Sequence, residues 1–244
     1  MKQPRSISPA HLLKGAELEA ICADVEAYYA GKLARHGAIP LGVDWSCTAT
    51  QWLRFVQLLR ICPSDGPVSL IDLGCGYGAL ATFLAEQRRG ANFEYLGIDL
   101  SAEMVRRARR RHRGDARIRF VAGRSASQSA DYVVASGIMN VMLDLPLPTW
   151  EKFVRTMLVD MHRMSRSGFA VNFATKPGSR SRPGQLYCTR AEKWALFCER
   201  ELGWSVEILD GYGLQEFTLL ARTPKRHSSP EHAKQMLHVA AENS

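Results

Sequence analysis

The sequence predicts a doubly wound α/β fold: a seven-stranded sheet with an antiparallel last strand, preceded by a helical cap. Three observations carry this. Short apolar strands alternate with helical segments from Val68 onward, a glycine-rich turn follows the first strand directly, and the two final strands flank the Asp-Gly-Tyr-Gly turn at Asp210 to Gly213. A chain of 244 residues suffices for one such domain with modest extensions. The expected division is a cap over 1–65, a core over 66–223 and a polar tail over 224–244.

Residues 9–62 read as helical because Leu12, Leu13, Leu18, Ile21 and Val25, then Leu53, Phe55, Val56, Leu58 and Leu59, recur at helical spacing. Gly37, Pro40 and Gly42 break that stretch in two. The first strand, Val68 to Leu73, reads as a short buried strand, apolar except for Ser69 and Asp72. A helix from about Ala79 leads to a second strand ending at Asp99, completing a βαβ unit. Ser101 then caps a helix, and strands follow at Ile118 to Ala122 and Tyr132 to Ala135. Trp150, Phe153, Val154, Met157, Leu158, Met161 and Met164 share one helical face, which makes the methionines core residues. A fifth strand spans Phe169 to Phe173, and the loop from Lys176 to Gln185, with Arg180 and Arg182, has the composition of a substrate lid or a plain surface loop. A helix at Ala191 to Leu202 precedes strands at Ser205 to Leu209 and Glu216 to Ala221, read as an antiparallel pair at the sheet edge. Ser229 and Pro230 could start a helix in the tail.

The totals narrow the functional classes. No apolar run is long enough to span a bilayer, and the basic start of the chain has no apolar segment behind it, so the expected location is the cytoplasm and no membrane partner is expected. Six cysteines without a CxxC pair or a His/Cys cluster predict reduced thiols, mostly in the core, and no metal site. The net charge of +8 is largely local, since 106–113 alone hold six arginines and no acid. That pattern is expected for a solvated helix face more than for a nucleic-acid footprint.

The turn after the first strand reads Asp72, Leu73, Gly74, Cys75, Gly76, Tyr77, Gly78. Its glycines allow close backbone approach by a nucleoside-bearing ligand at the carboxyl edge of the sheet. The spacing also fits the dinucleotide fingerprint, which leaves a dehydrogenase in contention. Asp72 weighs against a dinucleotide: a carboxylate beside the turn attracts a cationic amino group and repels a pyrophosphate. That favours S-adenosylmethionine (SAM) over NAD. Asp99, at the end of the second strand, suits the ribose hydroxyls of either ligand.

Ile71 to Gly78, Gly97 to Met104 and Asp131 to Asn140 resemble the motifs of the class I SAM-dependent methyltransferases, a Rossmann-like family, and the similarity runs over roughly 66–223. The resemblance implies that Asp72, Gly74, Cys75 and Gly76 would hold the methionine part of SAM and that Asp99 would take the ribose hydroxyls. Leu100 and Met104 would flank the adenine, and Gly123, Arg124 and Ser125 would face its amino edge. Arg124 departs from the acid that many relatives have there, so backbone groups or Ser125 take over that contact. Ser136 would sit at the carboxyl edge beside SAM. The tyrosine pair Tyr28 and Tyr29 is similar to the aromatic helix that covers the site in several small-molecule methyltransferases, and Arg54 could pair with the SAM carboxylate.

A methyl on a sulfonium is already activated, so catalysis needs alignment and exclusion of water, and a base only where the acceptor is protonated. His36, Asp44 and Asn140 are the catalytic candidates, with Tyr28, Tyr29, Lys32 and Trp45 as substrate contacts. Base-directed amino methylases carry Asn or Asp, two prolines and an aromatic after the fourth strand, where this chain has Ser136 to Asn140. The expected activity is therefore methyl transfer to O or N of a small molecule, releasing S-adenosylhomocysteine (SAH), with nucleic acid disfavoured and a homodimer allowed. The alternatives are an RNA or protein methyltransferase using Arg106 to Arg113, and a SAM-binding module without catalysis.

Overall fold

The computed structural model of the protein describes residues 11–87, 93–176 and 185–224, and the expectations for Arg180, Arg182 and the tail beyond 224 lie outside them. Its strands are β1 (Val68–Leu73), β2 (Phe93–Asp99), β3 (Ile118–Ala122), β4 (Ala130–Ala135), β5 (Ser165–Ala174), β6 (Ser205–Leu209) and β7 (Glu216–Arg222). The helices are α1 (Gly15–His36), α2 (Thr48–Leu58), α3 (Ala79–Glu86), α4 (Ala102–Arg111), α5 (Leu147–Met164) and α6 (Ala191–Arg200). The strands form one sheet in the order β3-β2-β1-β4-β5-β7-β6, parallel except for β7, which runs antiparallel to both of its neighbours. Strand order reverses between β1 and β4, and such a reversal leaves a crevice outside the carboxyl ends of the strands.

Burial explains why the central strands were legible: β5 and β7 carry nearly unbroken runs of buried residues, as strands covered on both faces must. One core layer gathers Trp150, Phe153, Met157 and Met161 of α5 with Phe169 and Phe173 of β5. Trp150 is fully buried, stacks on Phe153 at 4.7 Å and donates its Nε1–H to the Met139 carbonyl at 3.0 Å. Burying one such side chain stabilises the fold by roughly 1.5–3 kcal/mol. Helix α5 starts three residues earlier than its apolar face suggests, because Pro148 is tolerated in a first turn, where an N–H would have no partner.

The amino-terminal helices join both layers of the core. Leu18, Ile21, Cys22 and Val25 of α1 pack with the α5 layer, and the Leu13 amide donates to Thr156 Oγ1 of α5 at 2.9 Å. Phe55 and Leu58 of α2 pack in the opposite layer with Phe83 of α3. The connection between α1 and α2 therefore belongs to a segment that bridges the two layers. No helix among the described residues is long and apolar enough to cross a membrane.

Candidate active site

The glycine turn is held by the end of β2. The amides of Gly74 and Cys75 both donate to the Ile98 carbonyl, at 2.8 and 3.0 Å, and the Gly76 amide donates to Asp99 Oδ2 at 2.8 Å. Gly74 (φ 77°) and Gly76 (φ 54°) occupy left-handed conformations that side chains resist, and a Cβ on Gly74 would collide with Ile138 Cγ2. Asp99 Oδ1 accepts from the Ser101 amide at 2.9 Å. Each Asp99 oxygen thus keeps a lone pair for a further donor. Burial pushes the Asp99 carboxyl up, against the opposing pull of these two amides.

Asp72 is buried and accepts a hydrogen bond from the Tyr95 hydroxyl at 2.5 Å. Burial raises its carboxyl to about 7, with the Tyr95 hydrogen bond acting against that rise and the Asp99 charge adding to it. A cation placed beside Asp72 would favour the ionised form.

These groups line a cavity of about 1030 Å³, its open mouth included, at the carboxyl edge of the sheet. The sheet side supplies Asp72, the glycine turn, Asp99 and Ser136; α1 supplies Cys22, Val25, Glu26 and Tyr29; α5 supplies Phe153 and Met157. Val43 and Trp45 from the α1–α2 connection and Gln51 and Phe55 of α2 complete the wall. Ser136 Oγ is buried without a hydrogen-bond partner among the described residues, which in a folded protein marks a position for a ligand atom or water. Acids at Asp72 and Asp99, with Leu100 and Met104 nearby, offer partners for a cation, for hydroxyl donors and for an apolar ring.

Of the residues singled out in the sequence, Asp72, Gly74, Cys75, Gly76, Asp99, Leu100, Met104, Gly123, Arg124 and Ser136 line this cavity, as do Tyr29 and Trp45. Burial pushes the Cys75 thiol well up, so it is no nucleophile. Arg124 pairs with Asp160 of α5 at 3.2 Å.

The other residues singled out in the sequence lie outside the cavity lining. Arg54 does not line the cavity: it is buried, its guanidinium is bidentate to Glu216, and it stacks on the Trp45 ring at 3.8 Å. Asn140 is buried, its Oδ1 accepting from the Ala174 amide at 3.1 Å. His36 ends α1 outside the cavity lining, where a basic side chain suits the negative end of the helix. Asp44 accepts from Tyr28 at 2.6 Å and pairs with Lys32 at 2.6 Å, so these three tie α1 to the following loop and none of them lines the cavity. Ser125 is exposed beyond the turn that carries Gly123.

Glu26 was missed. It lies one residue beyond Val25 and one helical turn from Cys22 and Tyr29, so the helical period contained the signal that the same face reaches the cavity. Glu216 and Asn172 were missed for a different reason, since their partners are distant in the chain. Asn172 donates to Glu216 Oε2 at 2.9 Å and accepts from the Gly137 amide at 2.9 Å. Trp45 is wedged against Gly137, where an added Cβ would stand 2.5 Å from its ring.

The arginine run is partly neutralised at home. Arg106 and Arg107 pair with Glu103, and Arg109 donates to the Phe120 carbonyl. Three of the six cysteines, Cys22, Cys75 and Cys198, are buried, whereas Cys47 is exposed and Cys62 and Cys188 are half-buried. No cluster of metal-ligating side chains occurs among the described residues.

A glycine turn with a leading acid, a second acid at the next strand end and a closing antiparallel strand define an α/β enzyme that binds a nucleoside-bearing cofactor at the switch point of its sheet. The methyltransferase domain family matches residues 71–159. A methyltransferase of Mycobacterium tuberculosis is 41% identical over 168 residues, 67% of this chain and 98% of that protein. The chain belongs to the class I SAM-dependent methyltransferases, and its cofactor is SAM. Among solved structures, magnesium protoporphyrin IX methyltransferase from Synechocystis shares the fold with a TM-score of 0.60 at 14% identity, covering 85% of this chain and all of that one. Human N-acetylserotonin methyltransferase does so at 0.54 and 17%, covering 87% and 61%.

Proposed function

We propose that the protein transfers the methyl group of SAM to an oxygen or nitrogen of a small-molecule acceptor that enters the cavity beside Trp45 and Tyr29. The observation that carries this reading is the wall over the carboxyl edge: α1, α2 and their connection roof the cavity with Tyr29, Val43, Trp45 and Phe55. Such a roof admits a compact acceptor and hinders a nucleic-acid strand or a folded protein. The small-molecule methyltransferases of similar fold, acting on magnesium protoporphyrin IX and N-acetylserotonin, support it.

The residues present fit SAM. Asp72 would hold the methionine ammonium, and Asp99, with its two unused lone pairs, would accept from the ribose hydroxyls. Leu100 and Met104 would flank the adenine, with Gly123 and Arg124 at its edge. Ser136, whose hydroxyl has no partner among the described residues, would bond a polar atom of the cofactor or acceptor. When bound, SAM supplies a methyl group activated by its sulfonium, and SAH is the product.

The chain's own work is to align and enclose. The apolar roof excludes water, and Trp45 is fixed between Arg54 and Gly137, so the acceptor meets a rigid wall. With Asp72 and Asp99 committed to the cofactor, Glu26 is the carboxylate left on the cavity wall to take a proton from a protonated acceptor.

SAH release, measured with SAM and parallel panels of small phenols, carboxylic acids and amines, RNA, and peptides, tests the proposal. Turnover with members of the small-molecule panel is expected; turnover with RNA or peptide alone would contradict it.

A further inference from the structure

Beside the active-site cavity, on the outer side of the glycine turn, lies a second cleft of about 660 Å³ lined by Ala38, Tyr77, Arg107, Arg110 and Arg111. The three arginines come together because positions 107, 110 and 111 are three and four residues apart on α4 and share a face. Their charge is poorly compensated. Arg107 pairs with Glu103 at 2.8 Å, a carboxylate that Arg106 also uses. Arg110 has no hydrogen-bond or ion-pair partner among the described residues, and Arg111 lies over the Tyr77 ring at 5.0 Å without a carboxylate of its own.

Tyr77 forms one wall of this cleft and one wall of the active-site cavity, and its hydroxyl donates to Gln51 Oε1 at 3.2 Å. Its ring is therefore fixed from the α2 side, buried and overlaid by the Arg111 guanidinium.

We propose that this cleft is a binding site for a phosphoryl group. Three guanidinium charges against one shared carboxylate leave an excess near +2, which matches the charge of about −1.5 to −2 that a phosphate monoester carries at neutral pH. A carboxylate would leave one guanidinium uncompensated. Guanidinium forks also match phosphate oxygens in geometry. The site does not depend on which acceptor is methylated.

The test is titration of the full chain with inorganic phosphate, and separately with phenyl phosphate, at constant ionic strength with chloride as balance, read by calorimetry and by the arginine side-chain N–H resonances. Saturable binding is expected in both titrations. It should weaken on the order of tenfold in the Arg110→Ala/Arg111→Ala variant. The Arg113→Ala/Arg119→Ala variant removes the same charge from exposed positions outside the cleft and should bind as the unchanged protein does. Tighter binding of phenyl phosphate assigns the site to a phosphorylated organic molecule, and tighter binding of inorganic phosphate assigns it to the free ion; both support a phosphoryl site. Absence of saturation, or equal weakening in the two variants, would overturn the proposal and mark a diffuse basic surface.

Discussion

Arg54 and Glu216, 162 residues apart in the chain, form a buried bidentate pair with Nε to Oε2 at 2.8 Å. The pair joins α2 to the first residue of β7. Through Asn172 it reaches the Gly137 amide, and through the stacked Trp45 ring it returns to the roof of the cavity. One network therefore sets both the end of the sheet and the position of the aromatic wall.

Removing one partner of such a pair leaves a buried charge alone. Arg54→Ala is expected to destabilise the protein by about 3–5 kcal/mol, measured by urea denaturation. Arg54→Lys should recover only part of that loss, because an ammonium cannot reproduce the fork. Unchanged stability with a collapse of SAH affinity would instead return Arg54 to the role of cofactor-carboxylate ligand.

Asp99→Ala removes two acceptors proposed for the ribose and the carboxylate that holds the Gly76 amide. A loss of SAH affinity on the order of a hundredfold is expected, from about 1.5–3 kcal/mol for each hydrogen bond to a charged group. Near-normal affinity in calorimetry would remove the assignment.

The Asp72 carboxyl, raised to about 7 by burial, gives the binding a pH dependence of known sign. A bound ammonium favours ionised Asp72, so binding expels the proton wherever the free protein carries it. SAH affinity should be flat above that value and fall about tenfold per pH unit below it. Asp72→Asn should bind weakly at every pH and lose the slope. A slope of opposite sign would contradict the assignment.

Glu26→Gln tests the proton acceptor separately from cofactor binding. With an acceptor that must lose a proton, turnover is expected to fall about a hundredfold, within the usual range for general base catalysis, while SAH affinity stays within about twofold. Equal loss of both would make Glu26 a cofactor contact.

The sequence made the sheet legible because its evidence is local. Short, mainly apolar segments mark strands such as Val68–Leu73 and Ile118–Ala122, whose ends agree with those read from the sequence. The glycine turn and Asp99 were legible as cavity residues for the same reason: each lies at a strand end. Residues whose surroundings come from distant segments were not legible. Arg54 has its partner Glu216 far away in the chain, and the bond from the Ala174 amide to Asn140 joins the end of β5 to the segment after β4. The rise of Asp72 depends on burial and on Tyr95, neither of which a motif reveals. On α4, the pairing of Arg106 and Arg107 with Glu103 could be read from spacing, but the meeting of Arg107, Arg110 and Arg111 with Tyr77 could not.

If the cavity around Asp72, Asp99 and the glycine turn holds SAM, calorimetric titration of the purified protein with SAH, with NAD as control, will show it. Micromolar SAH binding that Asp99→Ala weakens on the order of a hundredfold, with no binding of NAD, is the predicted result. NAD binding in place of SAH, or SAH binding indifferent to Asp99, would contradict it.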